Sequence, residues 1–260
     1  MEITCCSVPT TARAPDGRTN VYVFGRDPAV LLDPASRTSE LDRLVRDRGV
    51  EHVLVTHTHP DHVDAVEEYA RETNATVWAR AGRTDRFREA TGVGPDRVFV
   101  EGTAIPAGDG RVEILETPGH ASDHVGVRAG ADGPICCGDC AVAEGSVVVG
   151  APEGDMRAYL TTLRRLRAMT PPRLYPGHGP PIDDPGATLE RLIAHRLERE
   201  RRIRRAVDDG ARTLAGILDA AYEKDLTGVR DLARATVLAH LEKLAVEGHL
   251  EFDGERARPR

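Results

Sequence analysis

Residues 57–62 read His57-Thr58-His59-Pro60-Asp61-His62, directly behind the apolar run 53–55. Four metal-ligating side chains crowd into this one short segment, which confines it to a strand end and the turn that follows. On extended backbone, residues two apart project to the same side, so His57 and His59 present their imidazoles together. Pro60 suits the first position of a helix, whose opening turn then carries Asp61 and His62. With 10 His and 22 Asp in 260 residues, chance would give this pattern in about one chain in a thousand. A set of core or turn histidines does not explain it.

Zinc takes three or four donors at about 2.0–2.2 Å, so further ligands must arrive from elsewhere in the chain. Three candidates each stand on a turn behind an apolar run. They are His120 in Thr117-Pro118-Gly119-His120 after the strand expected at 111–116, Asp139 after 134–137, and His178 in Tyr175-Pro176-Gly177-His178-Gly179. Turns anchored by a sheet are where distant sequence gathers into one rim.

Short apolar runs at 21–24, 29–32, 53–55, 112–115 and 146–149 read as strands. They alternate with amphipathic segments at 40–48, 61–73, 82–91 and 155–168 that read as helices, the pattern of an α/β sandwich. Behind Pro185-Gly186 the character changes. Leu189, Leu192, Ile193, Leu197, Ile203 and Val207 form an apolar stripe ending near Gly210. Helices at 213–223 and 230–247 follow, then a strand pair around Asp253-Gly254, which is the order of a winged helix. The expected organisation is a catalytic domain at 1–185 and a helical, winged-helix-like domain at 186–260. His195, Arg196 and the other basic residues of the first C-terminal helix read as its solvated face.

No run approaches the roughly 18 apolar residues of a membrane span. The first residues lack the basic and then apolar order of a signal peptide, so the expected address is the cytoplasm, with no membrane partner. Cys5, Cys6, Cys136, Cys137 and Cys140 are an odd set and no disulfide framework, and Cys137-Gly138-Asp139-Cys140 alone is weak support for redox chemistry. The formal charge is −7. Residues 1–185 carry 20 Arg/Lys against 28 Asp/Glu, and residues 186–260 carry 15 against 14, so neither part is a basic track for phosphates. Aromatic residues, at 4%, offer few platforms for base stacking.

Taken together, T-H-T-H-P-D-H, T-P-G-H, G-D-C and Y-P-G-H-G-P resemble, in order and spacing, the metal-ligand signature of the metallo-β-lactamase superfamily and its glyoxalase II-like hydrolases. Gly138-Asp139-Cys140 with Glu144-Gly145, His195-Arg196 with Arg199-Glu200, and His240-Leu241-Glu242-Lys243-Leu244 with Glu247-Gly248 are similar to the β-lactamase-like protein 2 subfamily. The resemblance implies an αββα sandwich with two divalent ions, zinc first, with manganese or iron as alternatives. One ion would be held by His57, His59 and His120, the other by Asp61, His62 and His178, with Asp139 bridging. It further implies hydrolysis by a hydroxide between the ions, oriented by Asp61 as the catalytic residue. Asp33, His124 and Cys140 are expected behind the ligands. One class of zinc β-lactamases uses a thiolate near the place of Cys140 and lacks the Asp at 139, so this chain departs from the β-lactam pattern.

The resemblance implies hydrolysis and leaves the bond open. The acidic first part favours a small acyl thioester or ester. The β-lactamase-like protein 2 likeness implies cleavage of single-stranded RNA. A metal-responsive DNA-binding regulator is a third reading, for which Arg230, Arg234 and Lys243 supply few groove contacts. Homodimer formation is a further expectation.

Overall fold

Parallel strands need long crossovers and antiparallel ones only turns, and the computed structural model, which describes residues 1–260, uses both. The chain packs as two compact units. The first comprises Met1–Thr117, Asp123–Gly145 and Thr170–Pro185, the second Pro118–Ser122, Ser146–Met169 and Gly186–Arg260. These units differ from the expected division at 185/186 in two pieces of chain, Pro118–Ser122, which carries His120, and Ser146–Met169.

In the first unit a six-stranded sheet has the order β1 (Ile3–Pro9), β2 (Arg18–Gly25), β3 (Ala29–Leu32), β4 (Val50–Leu54), β5 (Thr76–Arg80), β6 (Arg97–Phe99). Its first three strands are antiparallel, and β3 to β6 run parallel. The crossovers are α1 (Ser39–Arg48), the pair α2 (Pro60–Val63) and α3 (Val66–Thr73), and α4 (Thr84–Thr91). Thr38 caps α1 by accepting from the Leu41 amide at 3.1 Å, and Gly49 ends it in the left-handed region at φ 63°. The segment expected as one helix at 61–73 breaks at Ala65 (φ −108°), whose amide donates to the Pro34 carbonyl.

A second sheet pairs β7 (Ala104–Ala107), β8 (Gly110–Glu116), β9 (Val125–Ala129), β10 (Ile135–Gly138) and β11 (Leu174–Pro176) in the order β11-β10-β9-β8-β7. Period-2 alternation sends Tyr22, Phe24, Leu32 and Leu54 of the first sheet into one buried cluster with Ile105, Ile114 and Val127 of the second. The other face of the first sheet buries Val23, Leu31 and Val53 against Leu41, Tyr69 and Phe87 of the helices. The first unit is thus a helix, sheet, sheet stack.

The second unit holds α5 (Met156–Met169), α6 (Pro185–Asp208), α7 (Leu214–Ala221), α8 (Arg230–Val246) and the hairpin β12 (Leu250–Phe252) with β13 (Ala257–Pro259). Ile203, Val207, Ile217, Leu218, Val237 and Leu241 lie in its core. The helices and closing hairpin follow the winged-helix order. Two expectations fail here. Segment 146–149 is irregular: its valines alternate buried, exposed, buried, but no strand lies beside it, and its carbonyls accept from side chains instead. Arg196 is no solvated residue, being only 3% exposed. No helix is long and apolar enough to cross a membrane.

Candidate metal centre

β4 delivers the chain to 55–59 in extended form, and His59 (φ −69°, ψ 146°) precedes α2 with Pro60 in its first turn. Asp33, just beyond β3, holds this segment from beneath. It takes the left-handed region (φ 55°) and is fully buried. Its Oδ1 accepts from the Thr56 amide at 2.6 Å, and its Oδ2 accepts from the Thr56 hydroxyl at 2.8 Å and from His62 Nδ1 at 3.0 Å. Since the Thr56 hydroxyl directs its proton at a carboxylate, it can only accept from His57 Nδ1, 3.0 Å away. One aspartate therefore fixes two tautomers and turns the Nε2 atoms of His57 and His62 away from the sheet.

The other donors arrive on neighbouring strand ends. His178 follows β11 and its Nδ1 donates to the Arg18 carbonyl at 2.8 Å, leaving Nε2 to face the carboxylates. Asn20 Nδ2 donates to the Pro176 and Gly179 carbonyls at 3.0 and 2.8 Å, and the Tyr22 hydroxyl to Pro176 at 2.6 Å, so β2 clamps the His178 loop. Gly177 is demanded by close approach: a Cβ there would meet Asp139 Oδ1 at 2.6 Å and His62 Cε1 at 2.8 Å.

The spacing of the donor atoms tests whether a metal fits. His62 Nε2 lies 3.9 Å from Asp61 Oδ2 and 3.6 Å from Asp139 Oδ1, and His178 Nε2 lies 3.2 and 3.5 Å from the same atoms. Donors around a tetrahedral ion at 2.0–2.2 Å stand roughly 3.3–3.6 Å apart. His62 Nε2 and His178 Nε2 are buried and make no hydrogen bond, a costly state unless something else binds them. His57 Nε2 and His59 Nδ1 approach to 2.9 Å. The charge balance agrees. Burial opposes protonation of His178, but Asp139 and Asp61 outweigh it and push the imidazole up to about 10. For His62, burial is likewise overridden by Asp33, Asp139 and Asp61, which raise it. Burial works against charge on Asp61, yet the His178 and His62 rings hold its carboxyl below the ordinary value. The cluster carries an excess of negative charge that a divalent cation would balance.

Of the seven ligands expected, His57, His59, Asp61, His62, Asp139 and His178 gather in the first unit. His120 belongs to the second, where its Nδ1 donates to the Val148 carbonyl at 2.7 Å. His124 Nε2 accepts from the Asp139 amide at 3.0 Å, and its Nδ1 is 2.9 Å from the Thr117 hydroxyl, so it orients the Asp139 turn. Cys140 donates its thiol to the Thr117 carbonyl, and burial pushes it up to about 12, against a thiolate. All five cysteines are free. Reasoning from the sequence missed Asp123 and Arg86. Asp123 Oδ2 accepts from the Thr58 amide and hydroxyl at 3.1 and 2.6 Å, and Arg86 Nε donates to the same hydroxyl at 2.7 Å, fixing the residue between His57 and His59. Only the place of Thr58 between two ligands could have signalled it.

The profile of the Metallo-beta-lactamase superfamily matches residues 14–178. The beta-lactamase-like protein 2 homolog of Caenorhabditis elegans is 27% identical over 203 residues, 78% of this chain and 67% of that protein. The atrochrysone carboxyl ACP thioesterase of Aspergillus fumigatus is 24% identical over 82% of this chain and 71% of its own length. The crystal structure of a metallo-beta-lactamase family protein from Thermus thermophilus shares the fold, with a TM-score of 0.81 at 24% identity over 99% of this chain and 98% of that one. With the profile spanning most of the chain and the His/Asp cluster at its strand ends, the chain belongs to the metallo-beta-lactamase superfamily and is a hydrolase with a divalent-metal centre.

Proposed function

We propose that this hydrolase opens a small acyl thioester or ester at a site of two divalent ions, most simply zinc. The observation that carries the reading is the set of buried imidazole nitrogens and carboxylate oxygens that converge at 3.2–3.9 Å with an excess of negative charge. His57, His59 and His120 would hold one ion and Asp61, His62 and His178 the other, with Asp139 shared. His120 is included because its Nδ1 is committed to a carbonyl, the usual arrangement behind a metal-bound imidazole. Bound ions would supply Lewis acidity and a nucleophile drawn from water at neutral pH. Asp61 would orient that nucleophile, and Asp33, directly and through Thr56, keeps the Nε2 atoms of His57 and His62 available.

Support for a thioester or ester comes from the 28 acidic against 20 basic residues in 1–185, a field that repels polyanions. The similarity to a protein named as an acyl-carrier thioesterase points the same way. Cleavage of single-stranded RNA is the second reading, favoured by the likeness to beta-lactamase-like protein 2 over 78% of the chain. A panel of thioesters, a lactone, a β-lactam and single-stranded RNA with metal-reconstituted protein decides. Thioester or ester turnover that is lost in Asp61→Asn is the expected result. RNA cleavage with a steep salt dependence and no thioesterase activity would reverse the order.

A further inference from the structure

Helix α6 buries an arginine where its sequence promises a solvated face. Arg196 is 3% exposed, and its guanidinium carbon lies 5.6 Å from the centre of the Tyr159 ring on α5. Its Nη2 donates to the Val147 carbonyl, while its buried Nε makes no hydrogen bond. The neighbouring acid, Glu200, is engaged elsewhere, with Lys243 Nζ at 3.0 Å from Oε1 and 2.9 Å from Oε2. An arginine stays charged in any protein environment. Burying it against one carbonyl and a ring face is expensive, so the contact it makes calls for a reason.

Val147 adjoins Val148, and the Val148 carbonyl is the acceptor for His120 Nδ1 at 2.7 Å. The 146–149 segment has no strand partner, so side chains set the direction of its carbonyls. The rest of the His120 turn is held by the same helix that carries Tyr159. Thr162 donates to the Pro118 carbonyl at 2.7 Å, and the Asp155 amide donates to the Gly119 carbonyl at 2.8 Å. Gly119 approaches α5 so closely that a Cβ would meet Tyr159 Cα at 2.3 Å. On the far side the Ala151 amide donates to the Ala235 carbonyl of α8 at 3.1 Å. The His120 turn is braced on these sides, and Arg196 holds the carbonyl of the residue just before its Nδ1 acceptor.

We propose that Arg196 is a positioning residue for His120. By holding the Val147 carbonyl it fixes the next peptide, whose carbonyl sets the tautomer and ring orientation of His120 and so presents Nε2 to a metal ion. This rests on the reading of His120 as a metal ligand. A positioning partner of this kind is worth about 10–100-fold in metal affinity.

The test is a cycle in the full-length protein, stripped of metal and titrated with Co(II) while its visible absorption is followed. His120→Ala, Arg196→Met and the double variant are compared with wild type. Arg196→Met is expected to weaken Co(II) binding about tenfold and to shift the absorption bands, and to add nothing in the His120→Ala background. Wild-type affinity and spectrum in Arg196→Met, alongside a loss in His120→Ala, would overturn this proposal alone. An equal loss in both backgrounds would do the same. Unchanged Co(II) binding in His120→Ala would bring down the ligand reading and the proposal with it. Should Arg196→Met not fold, Arg196→Lys replaces it, read by exchange of the His120 Nδ1 proton in metal-free protein. Exchange at least about tenfold faster than wild type is expected, and an unchanged rate would overturn the proposal.

Discussion

In the first unit His62 and His178 face the carboxylates of Asp33, Asp61 and Asp139, whereas in the second unit His240 faces Glu200, which Lys243 already neutralises. All three histidines are buried, yet their protonation is biased in opposite directions. The carboxylates of the first unit override burial and raise His62 and His178. In the second unit burial, aided by the charge on Arg196, outweighs Glu200 and lowers His240. One cluster is closed electrostatically by a lysine, and the other sets three carboxylates against two imidazoles that they draw towards protonation. Burial and ligand-type side chains do not by themselves mark a metal site. An uncompensated set of acceptors at metal-ligand spacing does.

The largest effect should come from Asp61→Asn, which removes charge from the unbalanced cluster. Turnover on the true substrate is expected to fall more than about a hundredfold with the fold intact by circular dichroism. Near wild-type turnover would show that Asp61 has no part in the chemistry.

Lys243→Met breaks the balanced cluster instead. It leaves Glu200 and Glu247 without their shared cation, since Lys243 Nζ also lies 2.7 Å from Glu247. The expected cost is about 3 kcal/mol in denaturant unfolding, with metal content unchanged. Metal loss in this variant would erase the distinction between the clusters.

The pattern of what could be read from the chain follows the same division. His57, His59, Asp61 and His62 were legible because they are adjacent and their geometry is local. Asp139 and His178 needed the rule that ligands follow strands together with the family likeness. Asp123, Arg86 and the clamp from Asn20 were not legible, since they act across 65, 28 and 156 residues through hydrogen bonds that leave no local pattern. The sandwich was legible from period-2 runs, whereas 146–149 misled because alternating burial there comes from packing without a partner strand. That Pro118–Ser122 and Ser146–Met169 pack with the C-terminal helices has no local signature at all.

The smallest effect is on pH dependence in metal-free protein. Burial and the charges of Arg196, Arg199 and Lys224 push His195 down to about 4, below its unfolded value of 6.5. The unfolded chain therefore binds the extra proton between these values, and stability falls as the pH drops from 6.5 towards 4. His178 is raised to about 10, so its contribution is present below 6.5 and is lost as the pH rises through 10. Thermal midpoints across this range should decline at both ends. Added zinc should flatten the alkaline limb only, because a metal at the first-unit cluster takes the place of the proton. A zinc effect on the acid limb alone would contradict the assignment.

The most direct measurement is elemental analysis of the full-length protein purified without chelator or added metal. About two divalent ions per chain are expected, removable by chelation and regained on reconstitution with zinc. A content near zero that does not recover on reconstitution would contradict the metal centre itself.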